Sequence, residues 1–280
     1  MLNFMRRPAV TEEELSQALA EVGLDGTQHI IAHASLRAFG FLEGGAPTML
    51  RALRARSATL VMPSFSYYTL VWPEEQRQPD WAKPAPPPGP AYGRFSRVSS
   101  DIGRVPQTLA DDATTLRSFH PALSFVALGE RAEEVLDAQS LESPYGPIGK
   151  LYDLDGVAVL LGVDHRSNTT IHYGEYWAGV PLLDRYVVVN GEVRRTSFPN
   201  CSADFGRIAP HVRGESVTLG RGRITAFRVR ELVDGARRLL AHDPEALLCS
   251  FPGCRCQAVR QRVRRDGLMP RPHLGAVRAP

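Results

Sequence analysis

Only four cysteines occur in the 280 residues, too few for a disulfide framework. No run approaches the ~18 apolar residues that a membrane-spanning helix needs. The N-terminus, Met1 to Pro8, carries charge but no apolar segment of the kind a secretion signal requires. These absences predict a soluble cytoplasmic protein. Neither sign of charge dominates: 33 basic side chains face 30 acidic ones, for a net charge of +3. That balance argues against nucleic acid as the main partner. Lys83 and Lys150 are the only lysines, so arginine carries the positive charge, and its fork suits phosphate oxygens.

Several chemical signatures are missing too. There is no Gly-x-x-x-x-Gly-Lys-Ser/Thr, hence no P-loop kinase or ATPase. No Gly-x-Gly-x-x-Gly follows a strand, which sets aside dinucleotide oxidoreductases. No Gly-x-Ser-x-Gly elbow marks a serine hydrolase. The segment Arg37 to Leu42 approaches the pyrophosphate loop of the GNAT acetyltransferases, but Leu42 fills its last small-residue position.

What is present is a globular chain, with 43% apolar and 22% charged residues. Thr11 to Glu14 is a capping box that opens a helix, and Gly23 stops it. His29–His33, a helix over 48–56 and Ala58–Met62 read as a βαβ unit. Residues 72–100 crowd prolines with Trp72, Trp81 and Tyr92, which predicts a long loop bordering a site. A helix starts near Gly103, a strand covers 123–128 and a helix 130–136. The strongest buried strand is 157–162. Ser167 to Thr170 supplies N-cap chemistry for a helix through Trp177. Asn190-Gly191 signals a hairpin, and 227–241 is amphipathic with helical spacing. From Arg255 to Pro280 there are seven arginines and one acidic residue, Asp266, which reads as a basic solvated tail. Nucleic-acid binding through that tail is the alternative of a different class, although no aromatic lies there to stack a base.

Three polar turns follow or precede buried strands. The first is His33 to Gly40, where Ser35 and Arg37 suit an anionic ligand. The second is Arg117 to Ser124, which concentrates a guanidinium, two hydroxyls and an imidazole. The third is Asn168 to Glu175, where a strand ends and a helix begins. His172 and Glu175 are three apart and share a helical face. A carboxylate beside imidazole fixes its tautomer and offsets imidazolium charge, which suits a general base. Thr169 places its hydroxyl on the same side. By spacing alone, an ordinary hydrogen-bonded pair on a helix is the plainer reading.

Together these segments resemble the aminoglycoside 3-N-acetyltransferase family, also called the antibiotic N-acetyltransferase family. The resemblance runs from about residue 29 to 178. It is carried by His-Ala-Ser-Leu-Arg-Ala-Phe-Gly-Phe-Leu-Glu-Gly-Gly (33–45), Thr-Leu-Val-Met-Pro-Ser-Phe-Ser-Tyr (59–67) and Gly-Arg-Val-Pro-Gln-Thr (103–108). It continues through Leu-Arg-Ser-Phe-His-Pro (116–121), Pro-Tyr-Gly-Pro (144–147) and Asn-Thr-Thr-Ile-His-Tyr-Gly-Glu (168–175). Two positions depart from the family pattern: Ala34 stands where a hydroxyl is frequent, and Tyr173-Gly174 where Leu-Ala is commoner.

The resemblance implies an α/β fold with a mixed central sheet flanked by helices, distinct from GNAT. It implies acetyl transfer from acetyl-CoA to the 3-amino group of the 2-deoxystreptamine ring of aminoglycosides such as kanamycin or gentamicin, and so antibiotic resistance. Acetylation of another amine in antibiotic biosynthesis is the enzymatic alternative. His172 is the implied general base, Glu175 its support, and Thr169 a neighbour of the thioester. His33, Ser35, Leu36, Arg37, Val105, Arg117, Ser118, His120 and Ser124 are the implied CoA contacts. Because aminoglycosides are polycations, Asp101, Glu192 and Asp204 are the candidate acceptor contacts, with Tyr67 as an aromatic wall. The expected organisation is one domain over 1–255 and a basic tail over 256–280, as a monomer or homodimer with no membrane partner. No metal is expected in the chemistry. Cys249-x4-Cys254-x-Cys256, with His242 or His273 nearby, offers three or four zinc ligands. The spacing is not a standard ribbon or finger, and packed thiols are the plainer reading.

Overall fold

A computed structural model describes residues 9–71, 92–199 and 201–274. The proline-rich stretch therefore lies outside the described residues over 72–91. The chain order begins α1 (Glu12–Glu21), β1 (His29–Ala34), α2 (Gly45–Ala55), β2 (Thr59–Pro63) and β3 (Leu70–Val71). Then come α3 (Arg104–Asp111), β4 (Leu116–Arg117), β5 (Phe125–Gly129), α4 (Ala132–Asp137), α5 (Gly146–Asp153), β6 (Val157–Leu161) and α6 (Thr170–Ala178). The last elements are β7 (Leu183–Val189), β8 (Glu192–Phe198), β9 (Glu215–Leu219), β10 (Gly222–Arg228), α7 (Val229–His242) and α8 (Cys256–Asp266).

Seven strands form a mixed sheet in the order β4-β5-β2-β1-β6-β10-β9. At its centre β2, β1 and β6 run parallel, and the outer strands pair antiparallel. The mixed α/β architecture read from the sequence is the one observed. The βαβ unit is present, with β1 and β2 in parallel register His29 to Thr59. Buried parallel strands read as continuous apolar runs because helices cover both faces. Alternation then decides which face each residue serves. Ile30, Leu60, Met62, Val157 and Val159 pack with α1, α2 and α3, whereas Ile31, Val61, Ala158 and Leu160 pack with α5, α6 and α7.

The capping box of α1 forms as read: the Thr11 hydroxyl accepts from the Glu14 amide at 3.2 Å, and the Glu14 carboxylate accepts from the Thr11 amide at 2.9 Å. The Asn190-Gly191 turn joins β7 and β8, with φ of 52° and 80° as a two-residue hairpin of this type requires. With β3 these strands make a second, three-stranded sheet. Phe227, placed in a helix by its spacing, instead lies in β10, which runs to Arg228, and α7 begins at Val229. Strand pairing to Ala158 wins over helical periodicity there.

Residues 256–274 contribute to the larger core. Cys256, Val259 and Val263 are buried along one side of α8. Beyond it, Arg271 donates to the carbonyls of Tyr176 at 2.9 Å and Val180 at 3.0 Å, capping the end of α6. Among the described residues no helix is long and apolar enough to cross a membrane.

Candidate active site

Ligands of open α/β sheets sit beyond the carboxyl ends of parallel strands. Here that edge holds a cleft of about 740 Å³. Its walls are the segments that leave β1 (Ala34–Arg37), β2 (Pro63, Phe65, Tyr67) and β6 (Val163, Arg166–Thr169), together with the start of α3. Two of the three polar turns meet here because β1 and β6 are parallel neighbours in register His33 to Leu160.

His172 lines the cleft from the first turn of α6. Its Nδ1 lies 2.7 Å from Glu175 Oε2, with 13% and 2% of the two side chains exposed. Burial raises the Glu175 pKa, and the imidazole contact offsets part of that rise. The tautomer that donates Nδ1–H to the carboxylate is the one that leaves a lone pair on Nε2. Two aromatics fix the ring plane. Tyr145 stacks on it with centroids 5.6 Å apart, and Phe205 meets it edge-on at 4.6 Å. Neither was singled out from the sequence. Tyr145 lies in the Pro-Tyr-Gly-Pro word, which was a usable signal, whereas nothing local marks Phe205.

Within the Ser167–Thr170 segment, Asn168 rather than Thr169 supplies the capping side chain at the start of α6. Thr169 is helical in backbone and its side chain makes no capping bond. Asn168 Oδ1 accepts from the Thr170 amide at 3.2 Å instead. The Thr169 amide donates to His33 Nε2 at 3.1 Å, across the β1–β6 boundary. His33 is buried, and desolvation lowers its pKa to about 3, so it stays neutral with its proton on Nδ1. Thr169 lines the cleft beside His172.

Gly174, a poor helix former by intrinsic preference, has a packing reason. A Cβ there would lie 2.6 Å from Ala236 Cβ, where α6 crosses α7. The close crossing holds the His172–Glu175 turn against the core.

Of the residues read as CoA contacts, His33, Ser35, Leu36, Arg37 and Val105 line the cleft. Arg117, Ser118, His120 and Ser124 do not. They are buried, with their polar atoms bonded within the chain. Arg117 Nη2 donates to the Ser64 carbonyl at 2.7 Å and Ser66 Oγ at 3.0 Å. Ser124 Oγ donates to the same Ser64 carbonyl at 2.8 Å. Ser118 Oγ accepts from the Phe125 amide at 2.8 Å. His120 Nδ1 accepts from the Leu123 amide at 3.0 Å and its Nε2 meets Thr196 Oγ1 at 3.0 Å. Arg117 and Ser124 brace the turn after β2 that presents Phe65 and Tyr67, whereas Ser118 and His120 hold the turn that leads into β5.

Among the acceptor candidates, Tyr67 and Asp101 line the cleft. Glu192 sits on β8, exposed and paired with Arg194. Asp204 pairs with Arg207 at 3.4 Å and is not part of the lining, although Phe205 follows it. Arg104, Arg166 and Ser202 also line the cleft and were not singled out by sequence. The cysteines lie outside the lining.

With this geometry in view, the comparisons are specific. Residues 31–241 match the family described as aminoglycoside 3-N-acetyltransferase. The chain belongs to that family. It is therefore an N-acetyltransferase of the aminoglycoside class, with acetyl-CoA as the acetyl donor. The chain is similar to an aminoglycoside N(3)-acetyltransferase IV of Salmonella, 30% identical over 247 residues, covering 82% of this chain and 87% of that one. It is also similar to a prophage-derived aminoglycoside N(3')-acetyltransferase-like protein of Bacillus subtilis, 31% identical over 177 residues. That match spans 59% of this chain and just under two thirds, 65%, of the relative. Among solved structures, the apoenzyme of aminoglycoside acetyltransferase AAC(3)-IVa superposes with a TM-score of 0.76 at 28% identity, covering 91% of this chain and 99% of that one. A variant of that enzyme solved in complex with a gentamicin gives 0.73 at 28% identity, covering 92% and 99%.

Proposed function

We propose that this enzyme transfers the acetyl group of acetyl-CoA directly to the 3-amino group of a 2-deoxystreptamine aminoglycoside, with His172 as general base. The observation that carries this reading is the His172–Glu175 pair, 2.7 Å apart and set at the carboxyl edge of the parallel strands. An amine attacks a thioester only through its neutral lone pair. His172 Nε2 takes the amine proton as the C–N bond forms, and the acid-side nitrogen stays tied to Glu175. The C–S bond then breaks, and the departing thiolate is protonated to free CoA. No acyl-enzyme is required. The Thr169 amide is already committed to His33, so its hydroxyl is the donor to the developing oxyanion, an effect typically worth ~3–4 kcal/mol.

The lining chemistry fits an anionic donor. Arg37, Arg104 and Arg166 supply positive charge for phosphates, while Leu36 and Val105 offer apolar surface for the pantetheine arm. His33 and Ser35 belong to the same wall. In this reading Arg117 and Ser124 support the turn after β2, and Ser118 and His120 the turn into β5. Asp101 and Tyr67 take the acceptor side, and Glu192 and Asp204 serve it only if an acceptor extends beyond the described cleft. Acetyl-CoA is made and kept inside cells, so the reading places the enzyme in the cytoplasm, as a monomer or homodimer.

One observation favours the second reading, acetylation of a different amine. Outside the His172 pair, Asp101 is the single carboxylate among the described lining residues. A less highly charged acceptor suits such a wall. Release of CoA measured with kanamycin-like and gentamicin-like acceptors, with the acetylated nitrogen mapped by NMR, decides between them. Turnover at the 3-amino group is expected. Turnover confined to amines without a 2-deoxystreptamine ring would sink the aminoglycoside assignment.

A further inference from the structure

Four cysteines from three separate stretches of chain converge. Cys201 follows β8, Cys249 follows α7, and Cys254 and Cys256 bracket the start of α8. All four sulfur atoms lie within 4.8 Å of one another. Cys201 Sγ is 3.6 Å from Cys249, 3.3 Å from Cys256 and 3.6 Å from Cys254. A disulfide holds its sulfurs ~2.05 Å apart, well inside these separations. A tetrahedral zinc site with Zn–S bonds of ~2.3 Å has sulfur–sulfur edges of about 3.8 Å. The observed spacings lie close to that edge.

We propose that Cys201, Cys249, Cys254 and Cys256 form a structural zinc(II) site. The fourth ligand is Cys201, 48 residues before Cys249, rather than a histidine. His273 is engaged elsewhere, with Asp153 Oδ1 at 2.6 Å and the Tyr173 hydroxyl. Four thiolates select a soft or borderline cation and exclude calcium and magnesium. An iron–sulfur cube places each thiolate on a separate iron, which needs wider spacing than this cluster has. On binding, the four thiol protons pass to solvent and the site becomes a dianion. Arg260 donates to the Cys249 and Leu248 carbonyls at 3.3 and 2.7 Å, fixing that ligand's backbone. With all four positions filled by protein, the site holds no open coordination position for chemistry.

Its place gives it a positioning role. Cys201 is followed by Ser202, which lines the cleft, and by Phe205, which packs on the His172 ring. The metal thus ties α8 and the 201–205 turn together behind the catalytic pair.

The test is metal analysis of the full-length enzyme purified without chelator under reducing conditions. One zinc per chain is expected, released in step with titration of four thiols by a mercurial. Replacement by cobalt(II) should give the intense visible bands of a tetrahedral thiolate site. Cys201→Ser should lose most of the zinc, with a lowered melting temperature. Because that variant can fail to fold, the wild-type stoichiometry and cobalt spectrum stand as the primary readout. Metal-free folded protein with no cobalt spectrum overturns the proposal, as do two disulfides found by mass spectrometry. Full zinc content in folded Cys201→Ser overturns the assignment of the fourth ligand. None of these readouts depends on which amine is acetylated.

Discussion

The Thr169 amide donates to His33 Nε2 at 3.1 Å, joining the end of β1 to the head of α6. His33 Nδ1 has no acceptor within the described residues, although it is buried. The imidazole therefore serves as an acceptor for one specific amide and holds Thr169 at the cleft. His33→Ala leaves that amide unpaired, at a cost of about 1–3 kcal/mol. Denaturant unfolding should show the loss of stability, and steady-state kinetics should show kcat falling further than the acetyl-CoA KM rises. An unchanged kcat in a folded His33→Ala enzyme would remove this link from the mechanism.

In the proposed mechanism, His172→Ala removes the general base. Turnover should drop by about 10²–10⁴, while calorimetry still registers acetyl-CoA binding. Near-normal kcat in this variant would exclude the histidine as the proton acceptor.

Glu175→Gln separates catalysis from stability. The Glu175 pKa is raised above its ordinary value by burial, so the charged form is disfavoured in the folded state. For an acid raised on folding, stability is lost as pH rises above its unfolded value. The neutral amide should therefore match or exceed the wild-type melting temperature at pH 7 while kcat falls. A strongly lowered melting temperature would show that the carboxylate contributes more to folding than to proton transfer.

Acid should destabilise the fold in a defined window. Desolvation lowers His33 to about 3 and His120 to about 4, against 6.5 for the free side chain. Below pH 6.5 the unfolded chain takes up protons that the folded one refuses, so stability is full above that value and declines beneath it. At about pH 5 each histidine contributes about 2 kcal/mol of that loss. Thermal denaturation from neutral pH down to about 4.5 should show it. His120→Gln, which keeps a donor and an acceptor, should flatten the profile, and an unaltered slope would contradict the assignment.

Gly174→Ala tests the α6–α7 crossing. The new methyl would meet Ala236 Cβ at 2.6 Å, and overpacking of this kind costs about 1–3 kcal/mol. Ala236→Gly in the same chain should restore part of the stability and kcat together. Failure of the pair to couple in a double-mutant cycle would place the constraint elsewhere.

Much of the fold was legible because its signals are local. The Thr11 capping box, the apolar runs of β1, β2 and β6 and the Asn190-Gly191 turn each act over a few residues. They formed where they were read. Phe227 shows the limit: periodicity extends a helix backwards into residues that a neighbouring strand claims. The edge strands β3 and β4 are two residues each and carry no pattern of their own.

By itself, the sequence determined the alternation that assigns strand residues to two helical layers. It also set His172 and Glu175 three apart, so that any helix there brings them together. Only the tertiary structure decided what surrounds that pair. Tyr145 and Phe205 reach the imidazole, His33 reaches the Thr169 amide, and Cys201 reaches three cysteines far along the chain, all across sequence gaps that no short-range preference spans. The same sheet geometry left Arg117, Ser118, His120 and Ser124 as buried braces. The physical reason is that hydrogen bonding and close packing act through space, while propensity and periodicity act only along the chain.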